Sequence, residues 1–137
     1  MENKILVELK AVKSFYRKKQ ILNGIDLKIN KGEFVYLIGK TGSGKSSILK
    51  VLYNEMEISE GQGEIVGINL NKLKYSKVHK LRRQLGVIFQ DFQLLPDRSV
   101  RDNLIFVMKA TGWKDSKAME NHAHLTLKQV NLSDVAD

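Results

Sequence analysis

Residues 39–46 read G-K-T-G-S-G-K-S and complete the pattern G-x-x-x-x-G-K-S/T. Glycines at this spacing let backbone N–H groups turn inward around a phosphate chain. A helix starting at the end of the loop adds the partial positive charge of its N-terminus. The flanks supply that context. Residues 34–38, F-V-Y-L-I, predict a buried parallel strand, and residues 45–56 predict a helix with Ile48, Leu49, Leu52 and Met56 on its inward face. In such a loop the Lys45 ammonium neutralises β- and γ-phosphate oxygens and the Ser46 hydroxyl ligates Mg²⁺. Gly39, Lys40, Thr41, Gly42, Ser43, Gly44 and Ser47 complete the candidate nucleotide-binding set.

Composition bounds the rest. With 137 residues, 42% of them hydrophobic, the chain suits one globular domain with a real core. No cysteine is present, which excludes a disulfide scaffold and fits a reducing compartment. Residues 1–10 reach Glu8 after too short an apolar run for a signal peptide, and no apolar run approaches membrane-spanning length. The expectation is a cytoplasmic protein.

The charge balance is 23 basic against 15 acidic residues, a net +8. Between Ile65 and Gln90 there is no acidic residue, yet Lys72, Lys74, Lys77, Lys80, Arg82 and Arg83 all fall there. A helix over residues 76–84 would turn Val78, Leu81 and Leu85 inward and this charge outward. A solvated helix face, an anionic membrane surface and nucleic acid all fit such a run. Zinc spacing, heptads and aromatic RNA-binding signatures are absent, so nucleic acid is not the expected partner. His79, His122 and His124 have no carboxylate or metal partner in evident spacing and are expected at the surface.

Residues 5–9, 14–16 and 25–29 read as short strands, the last alternating Ile25, Leu27 and Ile29 with Asp26 and Lys28. An antiparallel β element therefore precedes the parallel core. Residues 60–63 read as a break, 64–68 as a strand, and 86–90 (G-V-I-F-Q) as another buried strand. Beyond it, Ser99 caps a predicted helix with Val100, Leu104, Val107 and Met108 inward, stopping at Gly112. Asp115 caps a second, carrying Met119, Ala123, Leu127 and Val130 and ending at Asn131. The expected organisation is an α/β P-loop core over residues 1–90 and the start of a helical subdomain over 91–137.

GTPase readout is missing. No D-x-x-G occurs, and N-K-L-K at residues 71–74 lacks the Asp of N-K-x-D. Tyr16 stands 23 positions ahead of Gly39, and Gln90 follows Lys45 by 45. With G-E-F-V-Y-L-I-G at residues 32–39 and L-R-R-Q-L-G-V-I-F-Q at 81–90, this order resembles the ATP-binding cassette family over the whole chain. The stretch Q-D-F-Q-L-L-P-D-R-S-V at 90–100, followed by Asn103, resembles the bacterial cell-division branch. Lipoprotein-release and macrolide-export branches share much of it.

The resemblance implies that Tyr16 stacks on adenine and that Gln90 contacts Mg²⁺ and the attacking water, with Lys45 and Gln90 as the catalytic pair. It implies Mg-ATP as ligand and a nucleotide-dependent homodimer of the full-length protein. It also implies a peripheral place on the inner membrane face, beside an integral-membrane, FtsX-like subunit. Phe92, Leu94 and Leu95, in a loop broken by Pro96, would form the wall that receives that subunit's cytoplasmic helix. Thr41 replaces a frequent serine and keeps the hydroxyl. The family's L-S-G-G-Q signature, Asp-Glu strand and switch histidine do not occur in these residues. Hydrolysis needs the groups such motifs supply, so the expectation is the N-terminal part of a longer ATPase, not competent alone, with a short, non-hydrolytic ATP-binding regulatory module as the alternative.

Overall fold

Strand β1 (Ile5–Tyr16) changes its buried face partway along. Val7 and Leu9 point inward, then Val12 and Ser14, so the two-residue period slips by one. The extra residue is Ala11, whose φ of 48° marks a bulge and whose N–H donates to Asp26 Oδ1 at 2.8 Å. The two strands expected over 5–9 and 14–16 are therefore one. Their broken period is a bulge, not a loop. The computed structural model describes residues 4–91 and 93–133.

Strand β2 (Lys19–Asn30) returns antiparallel to β1, with Leu27 opposite Leu9 and Ile25 opposite Val12. On the other side β1 pairs with β3 (Glu60–Ile65), and a two-residue turn at Val66 and Gly67 leads into β4 (Ile68–Asn69). The sheet order is β2-β1-β3-β4, antiparallel throughout. Residues 60–63, expected as a break, lie in β3. At Gly61, φ is 87° and a Cβ would run into the Ala11 carbonyl, so only glycine lets β3 pass the bulge.

Helix α1 (Lys45–Leu52) buries Ile48 and Val51 against β1 and Leu22 of β2. It ends four residues sooner than expected, and Leu49 is exposed while Leu52 and Met56 pack at the margin of the core. Two 3₁₀ turns (Leu70–Lys72 and Tyr75–Lys77) lead into α2 (Val78–Arg82), which buries Val78 and Leu81. Leu85 packs beside them, as its spacing predicts. Full burial of side chains such as Leu22 and Leu81 contributes about 1.5–3 kcal/mol each. Ser14, fully buried, satisfies its hydroxyl by donating to the Glu57 carbonyl at 2.8 Å.

The chain divides into two units, Met1–Gly86 and Val87–Asp137. In the second, α3 (Val100–Ala110) is capped by Ser99, whose Oγ accepts from Asp102 N at 3.1 Å, and α4 (Ser116–Gln129) by Asp115, which accepts from Ala118 N at 3.1 Å. Both helices close alike. Trp113 N donates to Met108 O and Gly112 N to Lys109 O, then Leu132 N to Leu127 O and Asn131 N to Lys128 O. The inward face of α3 is Ile105 and Met108 with Leu104 partly covered; Val100 and Val107 are exposed, against expectation. Helix α4 buries Met119, Ala123 and Leu127, while Val130 is exposed.

Two expected strands do not form. Residues 34–38 and 86–90 join no ladder, and Phe34, Tyr36, Ile38 and Ile88 are exposed by 81%, 77%, 90% and 96%. A parallel strand needs hydrogen-bonded neighbours and covering helices. No described strand pairs with these segments.

Candidate functional site

The loop between residues 39 and 44 is closed by its own backbone and by Lys45. Ser43 N donates to Lys40 O at 3.2 Å, and a Cβ on Gly39 would sit 2.8 Å from Ser43 Oγ. A side chain there would require the Ser43 hydroxyl to turn away. Gly44 caps α1 in the left-handed region, φ 93°, and lies against Leu22 of β2. No side chain caps this helix, and no acidic residue stands in its first turn. Its N-terminal N–H groups and positive dipole end thus remain available to an anion.

The Lys45 ammonium donates to the carbonyls of Gly39 and Lys40, each at 2.8 Å, and so folds back over the loop. These are neutral acceptors. A phosphate oxygen makes a stronger, charge-assisted bond and would displace them. Ser46 is exposed on the first turn of α1 with Ser47 beside it, and Lys40, Thr41, Gly42 and Ser43 are exposed along the loop. Glycine clearance, an uncapped helix start and one converging ammonium fit a polyphosphate. Among the described residues no group of three His, Asp or Glu could hold a metal ion. The Ser46 hydroxyl suits Mg²⁺, which keeps most of its waters and takes phosphate oxygens for other positions.

Tyr16 ends β1 beside the hairpin turn, 62% exposed, with the Arg17 guanidinium 5.7 Å from its ring centroid. It lies near α1. The Lys50 ammonium is raised above its ordinary value first by its hydrogen bond to Glu55 and, more weakly, by Tyr16. The same pairing, 2.8 Å long, holds the Glu55 carboxyl below the usual range. Tyr16 thus offers an exposed aromatic ring at the end of β1.

Gln90 belongs to the second unit, exposed in a turn rather than ending a strand. Leu94 is 67% exposed and Leu95 half-buried, whereas the expectation for Phe92 lies outside the described residues. His79, His122 and His124 are exposed, and His122 packs its ring on Trp113 at 5.1 Å.

Three side chains carry work that sequence reading did not assign. Asn103 holds the loop of Leu95, Asn71 bonds Gly61 O and Gly63 N at 3.0 Å each, and Arg82 reaches the carbonyls of Tyr53 and Asn54. Only Asn103 carried a sequence signal, its position just beyond the 90–100 stretch.

The fold and loop define a P-loop nucleotide-binding cassette. Residues 22–137 match the ABC transporter family, and the chain belongs to it. It is 37% identical over 108 residues to the cell division ATP-binding protein FtsE of Streptococcus pneumoniae (strain D39), covering 78% of this chain and 47% of that protein. FtsE of Mycobacterium tuberculosis is 36% identical, covering 97% and 58%. The methionine import ATP-binding protein MetN of Helicobacter acinonychis is 33% identical, covering 95% and 40%. The chain thus spans about half the length of these relatives. Among solved structures, the dimeric post-hydrolysis state of the cassette MJ0796 with ADP and Pi superposes with a TM-score of 0.84 at 29% identity, over 96% of this chain and 60% of that one.

Proposed function

We propose that this chain is the ATP-binding part of an ABC ATPase that couples ATP binding and hydrolysis to a membrane subunit in bacterial cell division. The observation that carries it is the loop of residues 39–46, where the Lys45 ammonium, the glycine-lined backbone and an uncapped α1 converge. The cell-division assignment rests on relatives named FtsE at 36–38% identity.

In this reading Lys45 takes the β- and γ-phosphates and residues 39–44 wrap them with backbone N–H groups. Ser46 would ligate Mg²⁺ and Tyr16 would stack on adenine, while the role of Gln90 toward Mg²⁺ is the one the family resemblance implies. The metal supplies charge neutralisation between the phosphates. Water activation falls to Gln90 together with groups of the full-length dimer. The membrane subunit is FtsX-like and engages residues 90–100, which places the protein peripherally on the inner membrane face. No described helix is long and apolar enough to cross a membrane.

A second reading has its own observation. MetN proteins match at 32–33% over 131 residues, which favours an importer ATPase. Gene loss separates the two. Blocked division, restored by the parent gene and not by Lys45→Ala, supports the first; normal division with lost methionine uptake would establish the second.

A further inference from the structure

We propose that the segment 70–83 docks directly on an anionic lipid surface, without help from a membrane subunit. Its lysines are preset. Leu70, Val78 and Leu81 are buried and Leu73 packs beside them, so the intervening Lys72, Lys74, Lys77 and Lys80 all stand exposed. The pedestal is fixed as well. Asn69 accepts from Lys72 N at 3.1 Å, Asn71 is bonded to β3, and Arg82 is tied to the end of α1.

The lysines also lack internal partners. Among the described residues the ion pairs engage Lys10, Lys13 and Lys50, and none of these four. No acidic residue lies between Ile65 and Gln90 to offset them. Glu55 and Glu57 share a cavity with Tyr75, and Glu55 is already committed to Lys50. Exposed ammonium groups in such a run gain from the negative potential of a bilayer, charge by charge.

Tyr75 decides the class of partner. It is 95% exposed and lies between Lys74 and Lys77 in sequence, an amphipathic ring free to sit at headgroup level. A nucleic-acid surface would favour guanidinium forks and several stacking rings. Here the free cations are ammonium points around one ring, and Arg82 is spent on backbone carbonyls.

The test is co-sedimentation of the chain with vesicles of phosphatidylglycerol in phosphatidylcholine, against phosphatidylcholine alone. Binding is expected to the anionic vesicles only and to fall with added salt. The combined variant K72Q/K74Q/K77Q/K80Q should weaken it by at least about tenfold, and Tyr75→Ser should weaken it at unchanged charge. The control K109Q/K114Q/K117Q/K128Q removes the same charge from exposed lysines of the second unit and should bind as the parent does. Circular dichroism and melting establish that each variant is folded. Absence of vesicle binding by the parent overturns the proposal, as does equal loss in both lysine sets. Single-stranded DNA or RNA that displaces the vesicles through these same lysines reassigns the surface to nucleic acid. ATP titration of the parent reads the nucleotide site separately, so failure of one reading is distinguishable from failure of the other.

Discussion

The side chain of Asn103 holds both backbone polar groups of Leu95: its Oδ1 accepts from Leu95 N at 2.8 Å and its Nδ2 donates to Leu95 O at 3.1 Å. The same Nδ2 also reaches the carbonyls of Arg98 and Ser99. One amide on α3 thus sets the course of the loop that carries Leu94. Asn103→Ala would leave part-buried backbone groups unpaired, at a cost of about 1–3 kcal/mol. Urea denaturation followed by Trp113 fluorescence measures it. An unchanged midpoint would mean that water replaces the clamp without loss.

What the sequence made legible was local chemistry. The loop at 39–46, the caps at Ser99 and Asp115, and the helix ends at Gly112 and Asn131 each depend on residues within one turn of each other. Apolar runs were harder to read. Residues 34–38 and 86–90 carry strand composition, but a strand is made by its neighbours, and no described strand pairs with them. On α3, Met108 faces inward as expected, but Ile105 joins it in place of Val100 and Val107, because packing on Met119 and Ala123 selects one of two overlapping apolar stripes. The bulge at Ala11 had a trace in the slipped period of β1, whereas the arrival of β3 beside it is a long-range event.

That arrival gives a second expectation. Gly61→Ala forces a methyl toward the Ala11 carbonyl at φ 87°, where an L-residue costs about 1–2 kcal/mol before any clash is counted. Thermal melting should show a clear drop. Gly67→Ala, also at positive φ but with open space around its Cβ, should cost less. Equal losses would place the effect in backbone strain alone.

Lys45→Ala should weaken Mg-ATP binding by at least tenfold, about 1.4 kcal/mol. It removes the one ammonium that lies over the loop carbonyls of Gly39 and Lys40. Calorimetric titration is the measurement, and equal affinity in parent and variant would remove the nucleotide reading.

The Lys50–Glu55 pair predicts a pH dependence whose sign follows from its two shifts. The Glu55 carboxyl lies below its ordinary value of 4.5, mainly through its hydrogen bond to Lys50, so its stabilisation is present above that value and is lost as pH falls through the lowered one. Lys50 lies above its ordinary 10.5, so its share persists below that value and is lost as pH rises through the raised one. Both side chains are nearly half-exposed, which keeps the effect small. Glu55→Gln should therefore melt slightly below the parent at neutral pH, and the two should converge once acid has protonated Glu55. A gap that widens in acid would contradict the assignment.

The last expectation concerns the partner surface. Leu94 is 67% exposed, while the Leu95 backbone beside it is held by Asn103, so the loop presents a large apolar side chain from a fixed support. A charge at this point should cost little in folding, since the side chain is already largely in water. It would be expensive in an apolar interface, where a buried carboxylate has no partner. In the full-length protein, Leu94→Asp should abolish capture of the FtsX-like membrane subunit while melting and Mg-ATP affinity stay at parent values. Leu94→Met, which keeps the apolar contact, should restore capture. Undiminished capture by Leu94→Asp would place the partner surface elsewhere, and a large fall in its melting midpoint would show that Leu94 supports the fold.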